Sequence, residues 1–181
     1  MPSATARRAP AIAQAGQTRD LLARSGIECP TVIGAGTFEF ESASGVYTEL
    51  QCGSYIFMEA DYGRNLNHDG EAFEPSLFVW TTVMSRPAQD RAIVDAGLKA
   101  LAFDSGPPLV WDEPAATYER ASDEHGRLGI SSATNRLRLG DKVKLVPGHC
   151  DPTVNLYDWY VCVRGNRVEQ LWPITARGAV Y

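Results

Sequence analysis

The chain has 181 residues, 44% of them hydrophobic, and its 22 acidic against 17 basic side chains leave a net charge of -5, the composition of one soluble globular domain. It is too short for a complete (β/α)₈ barrel, which needs roughly 250 residues, and an isoelectric point near 5.2 with scattered arginines gives no basic stripe for a nucleic acid. No apolar run reaches the ~18 to 20 residues that cross a bilayer, so the sequence reads as neither a polyanion binder nor an integral membrane protein.

From Ala11, the residues Ile12, Ala15, Thr18 and Leu22 fall three and four apart and lay an apolar stripe along one helical face, up to a stop signal at Gly26. Residues 29–33 then read as a short buried strand that runs into Gly34-Ala35-Gly36-Thr37. Beyond this loop the hydrophobic period changes from 3.6 to 2. Runs rich in β-branched and aromatic residues at 46–51, 54–60, 76–84, 92–95, 109–112, 142–146 and 157–163 are expected as strands. Arg164-Gly165-Asn166-Arg167 should turn the last of these into another strand at 168–172. Residues 65–75 and 114–126 are polar enough to be loops. The whole from about residue 46 onward is expected to be mainly antiparallel sheet or barrel.

Cys29, Cys52, Cys150 and Cys162 form no CxxC pair and no tight ladder, which speaks for free thiols in a reducing compartment, taken here as the cytoplasm. The sharpest chemical signal is His149-Cys150-Asp151 after a strand. In an extended segment positions i and i+2 face the same side, so His149 and Asp151 could share one divalent ion and leave its other positions to water or substrate. A loop histidine beside a turn-forming Asp-Pro explains the same residues. Gly34-Ala35-Gly36-Thr37 offers unobstructed backbone N–H groups and a hydroxyl for a phosphate, or a plain turn. Gln51-Cys52-Gly53-Ser54 is a second place for close approach of an anion, or a β-bulge. His125 fits a surface loop or a catalytic role, His68 reads as solvated, and Trp159 with Tyr160 as core.

In order along the chain, four segments resemble the metal-activated pyridoxal phosphate enzymes of the D-threonine aldolase and D-serine dehydratase-like family. They are residues 34–41, residues 45–58, Ser122-Asp123-Glu124-His125-Gly126, and residues 146–155 around His149 and Asp151. The resemblance implies a fold-type III architecture, and hence an α+β, mainly β chain. Residues 1–41 would be a helix plus strand from the end of a cofactor-binding (β/α)₈ barrel, and 42–181 a D-serine dehydratase-like antiparallel β domain. It further implies that Gly36 and Thr37 grip the phosphate of pyridoxal 5'-phosphate, with Ile33 and Ala35 departing from a Gly-Gly-Thr-Gly-Thr loop. Gln51 would face the pyridine nitrogen, and Gly53 with Ser54 would offer backbone groups to the phosphate. His149 and Asp151 would be the metal ligands, with Cys150 pointing the other way. A His-x-Asp pair is the aldolase form of that site and suits manganese or magnesium better than zinc.

The implied reaction is cleavage of a D-β-hydroxy amino acid to glycine and an aldehyde, or its dehydration. The family's Schiff-base lysine lies upstream of the matched segments, and neither Lys99, Lys142 nor Lys144 stands in its setting, so the catalytic residue is unassigned apart from His125 as a candidate. The expectation is therefore a partial lyase, inactive alone, that works as a homodimer or with a barrel-carrying subunit on a small D-amino acid. The alternatives are a dehydratase-like subunit of a split enzyme and a non-catalytic β domain that binds metal or an anion.

Overall fold

The structure is a computed structural model that describes residues 4–37, 45–65, 73–131 and 137–178. The chain packs as two units, Met1–Ile56 and Phe57–Tyr181. The expected boundary between residues 41 and 42 lies outside the described residues, as do Phe38 to Glu41 and His68.

In the first unit α1 spans Ala4–Arg24, with Pro10 inside it. The helix thus begins seven residues before Ala11, where the apolar stripe starts. Its end is as expected. Gly26 adopts φ 75°, its N–H reaches Ala23 O, and the N–H of Ile27 reaches Leu22 O at 3.0 Å. This left-handed cap satisfies the last carbonyls of the helix. The half-buried face carries Ile12, Ala15 and Leu22, and Gly16 on the same face packs against Val46, which an added Cβ would approach to 3.4 Å. β1 (Ile33–Gly34) and β2 (Glu49–Leu50) pair in parallel, Ile33 opposite Glu49. Both are shorter than the apolar runs predict. The unit closes in a 3₁₀ turn over Ser54–Ile56 where a strand was expected.

The second unit opens with Met58 at φ 50°, a left-handed residue that breaks any extended run, and α2 follows at Ala60–Asn65. The N–H groups of Ala60 and Asp61 go to the carbonyls of Pro147 and Gly148 rather than to a neighbouring strand, which is why residues 57–60 are not β. The body of the unit is a six-stranded sheet of β3 (Val79–Ala88), β4 (Arg91–Val94), β5 (Leu109–Val110), β6 (Ala116–Ala121), β7 (Gly126–Ile130) and β8 (Lys142–Val146). Its order is β5-β8-β3-β4-β7-β6, with every pair antiparallel. The edge strands β5 and β6 approach each other, so the sheet curls toward a barrel.

The inner face holds Val83, Val94, Leu128, Val143 and Leu145, each almost fully buried. At roughly 25 cal/mol per Å² of apolar surface removed from water, such side chains drive the folding of the unit. β6 was expected to be loop because Glu119 and Arg120 make it polar. Its burial nevertheless alternates, Ala116 and Tyr118 inward and Thr117 and Glu119 outward. β7 gave no strand signal because of its glycines. They are needed there, since a Cβ at Gly126 would come within 2.5 Å of the Tyr118 ring.

After β8, α3 covers Cys150–Val154, and β9 (Trp159–Arg164) and β10 (Arg167–Pro173) form an antiparallel ribbon. The two-residue turn between them has Gly165 at φ 61°, as the sequence predicts. Trp159 is not core, however: it is 55% exposed, and Trp172 and Val161 on the ribbon are exposed as well. Tyr160 is half-buried, its ring 5.7 Å from that of Phe57.

Candidate active site

β8 leaves the core through Pro147 and Gly148, both buried, and delivers His149 to the surface. His149 is extended, at φ -141° and ψ 127°, and caps α3, so Asp151 sits in the first helical turn. The expected i, i+2 pair of an extended strand is therefore half strand and half helix. Asp151 is exposed, Cys150 is buried, and burial pushes the Cys150 thiol up to about 12, helped by the charges of Glu59 and Asp151. That thiol stays protonated and unreactive at neutral pH.

The imidazole is held by a carboxylate distant in sequence. His149 Nδ1 lies 2.5 Å from Asp104 Oδ2, a residue 45 positions earlier, in the turn closed by Gly106 N–H to Phe103 O. Buried Thr153 links the two segments: its hydroxyl donates to His149 O at 2.7 Å and accepts from Ala102 N–H at 3.1 Å. Buried Glu59 accepts the N–H of Cys150 at 2.6 Å. Burial alone would lower the His149 pKa, but the Asp104 hydrogen bond and the charges of Glu59, Asp104 and Asp151 outweigh it and hold the value above the ordinary 6.5. Asp104 is correspondingly held below 3.8, chiefly by its hydrogen bond with His149.

A proton-attracting site of this kind is also a cation-attracting one. Among the described residues no group of three or more His, Cys, Asp or Glu side chains is placed to hold a metal ion. His149 with Asp151 would supply one nitrogen, Nε2, and one carboxylate, a donor set that suits a hard divalent ion with its other positions open.

The first unit gathers the other candidates. The Gln51 N–H lies 3.2 Å from Gly34 O and 3.1 Å from Ala35 O, and Thr37 is buried with its hydroxyl accepting the Tyr55 N–H at 3.2 Å. Gly36 and Thr37 are thus side by side with Gln51, Gly53 and Ser54. Gly34 is a packing glycine, pressed by the Tyr47 ring, whereas a Cβ on exposed Gly53 would meet nothing within 4 Å. That open space fits a phosphate approaching the backbone.

His125 is exposed and lines a separate cleft of about 420 Å³ with Met84, Asp95, Lys99, Ala100 and Glu124. The lysines are all engaged within the second unit, Lys99 in a loop and Lys142 and Lys144 on β8. Lys99 pairs with Glu124 at 2.5 Å, Lys142 donates to Thr82 Oγ1 at 2.6 Å, and Lys144 pairs with Asp112 at 3.2 Å. Sequence reasoning missed Asp104 and Glu59, because neither carries a local motif and only the fold brings them to His149; Thr153 lies inside the 146–155 segment, but its link to Ala102 is likewise visible only in the fold.

Comparison with known proteins agrees with the resemblance drawn from the motifs. Residues 76–163 match the family described as a putative serine dehydratase domain. D-threonine aldolase of Arthrobacter sp is 52% identical over 160 residues, covering 87% of this chain and 42% of that protein. 3-hydroxy-D-aspartate aldolase of Paracoccus denitrificans (strain Pd 1222) is 48% identical over 178 residues, 94% of this chain and 46% of that protein. The crystal structure of D-threonine aldolase from Filomicrobium marinum superposes with a TM-score of 0.91 at 48% identity, over 98% of this chain and 49% of that one. The chain spans a little under half the length of the relatives it matches.

Proposed function

Because the chain carries the D-serine dehydratase-like domain of the D-threonine aldolase-like enzymes, we propose that it forms the metal-binding part of a lyase acting on D-β-hydroxy amino acids. The reaction is retro-aldol cleavage to glycine and an aldehyde. The observation that carries this reading is the His149 and Asp151 pair with its imidazole turned by Asp104.

His149 Nε2 and Asp151 are the ligands of the divalent ion, manganese or magnesium before zinc because one donor is a hard carboxylate and neither is a thiolate. Gly36, Thr37, Gly53 and Ser54 would hold the cofactor phosphate, and Gln51 would face the pyridine nitrogen. When bound, the ion supplies Lewis acidity at the substrate's β-hydroxyl, and pyridoxal phosphate supplies the electron sink for the charge left at Cα. The chain's own part is to fix the imidazole, to keep Cys150 turned inward and protonated, and to present backbone groups to the phosphate.

Lys99, Lys142 and Lys144 are each paired within the second unit, so the Schiff-base lysine would come from a barrel that these residues do not include. No helix among the described residues is long and apolar enough to cross a membrane, and the cytoplasm is the proposed compartment.

Calorimetric titration with Mn²⁺ tests the metal half of this reading. The chain should bind, and His149→Ala and Asp151→Ala should each abolish binding; unchanged affinity in either variant overturns the assignment. The serine dehydratase domain match favours a second reading, dehydration. Product analysis with D-threonine on the enzyme completed by its barrel separates the two, since cleavage yields glycine and dehydration yields ammonia and a 2-oxo acid.

A further inference from the structure

We propose that Asp104 is a positioning residue of the metal site: its carboxylate fixes the ring of His149 so that Nε2 is presented to the ion. This inference rests on the reading of His149 as a metal ligand.

Three observations separate this contact from an incidental ion pair, which is typically worth little on a protein surface. The first is its geometry. Asp104 Oδ2 meets Nδ1 at 2.5 Å, which leaves Nε2 as the ring nitrogen available to an ion. An ionised carboxylate only accepts hydrogen bonds, so Nδ1 must carry a proton, and in the neutral ring the lone pair is left on Nε2. Metal-bound histidines commonly take this form, with the outer N–H given to a carboxylate that sets tautomer and ring orientation.

The second is that the carboxylate is itself held. Ser105 Oγ lies 3.3 Å from the same Oδ2, and Asp104 and Ser105 occupy the central positions of the turn closed by Gly106. The third is that the two loops are locked in register. Gly148 lies against the Gly106 carbonyl so closely that a Cβ would overlap it, and the Thr153 hydroxyl bridges Ala102 and His149. Neither loop can drift without breaking buried contacts, so the ring is pre-oriented before any ion arrives.

The test uses the full chain, with Mn²⁺ as the probe, in wild type, His149→Ala, Asp104→Ala and Asp104→Asn. Asp104→Ala should weaken Mn²⁺ binding about 10- to 100-fold, the usual cost of losing such an outer partner. Asp104→Asn, whose amide oxygen can still accept from Nδ1, should recover much of that loss. Imidazole ¹⁵N NMR of the metal-free chain supplies a readout that mere destabilisation would not move: His149 should be protonated at Nδ1 in wild type and lose that preference in Asp104→Ala. If wild type binds and His149→Ala does not, while both Asp104 variants bind as wild type, the positioning role is overturned and the ligand assignment stands. If His149→Ala binds as tightly as wild type, the ligand assignment fails and the positioning role falls with it.

Discussion

Gly148 and Gly106 meet backbone to backbone, the Cα of one against the carbonyl of the other, with no room for a side chain between them. Residues 42 apart in sequence thereby set where His149 emerges from the core. Gly148→Ala must push the two loops apart, because the atom it would strike is rigid backbone. A loss of roughly 1 to 3 kcal/mol is expected, as for overpacking elsewhere, together with weaker Mn²⁺ binding. Thermal unfolding and calorimetry on the variant check both, and wild-type affinity in a destabilised chain would show that the loop contact does not govern the site.

Gly53 is the opposite case. A methyl group there meets open space, and its φ is not left-handed, so Gly53→Ala should leave stability within about 0.5 kcal/mol of wild type. If the cofactor phosphate lies against this backbone, the same methyl should cut pyridoxal phosphate affinity roughly tenfold or more, since hydrogen bonds to a charged group are worth about 1.5 to 3 kcal/mol. Equilibrium dialysis with the cofactor gives the comparison.

Ala35 has φ 62°, a conformation that costs a residue with a Cβ roughly 1 to 2 kcal/mol. Glycine removes that cost but gains about 0.4 to 1 kcal/mol of freedom in the unfolded chain. Ala35→Gly should therefore stabilise the protein by about 0 to 1.6 kcal/mol, read as a rise in denaturant midpoint. A fall would place residue 35 outside the left-handed region.

The His149 and Asp104 pair should leave a pH signature in the metal-free chain. His149 is held above 6.5 because the Asp104 hydrogen bond and neighbouring charges outweigh burial. Its contribution is therefore complete below about 6.5 and fades as pH rises through the folded value. Asp104, held below 3.8, sets the acid edge, where the contribution disappears as pH falls through its folded value. The melting-temperature gap between wild type and His149→Ala should be widest in mildly acidic buffer and narrow toward alkaline pH. Mn²⁺ must displace the proton from the imidazole, so metal affinity should rise with pH over the same range. A gap that does not change with pH would mean that the pair contributes nothing to folding.

Some of this protein is written locally in its residues. The helix stop at Gly26, the β8 run at 142–146 and the turn at Gly165 follow from backbone preferences that act within a few positions, and the structure shows each as expected. The imidazole and carboxylate on either side of Cys150 are also local in sequence, but they fall on a helix cap and a first helical turn rather than on one extended strand. Other features depended on partners distant in sequence. β6 is a strand because the Tyr118 ring packs over Gly126, and the run at 57–60 is not one because the N–H groups of Ala60 and Asp61 go to the carbonyls of Pro147 and Gly148. The orientation of His149 was of the same kind. Hydrogen bonds and close packing depend on distance in space, so nothing near His149 in the chain could reveal Asp104. Only the curled sheet and the glycine contact bring that carboxylate within 2.5 Å of the ring.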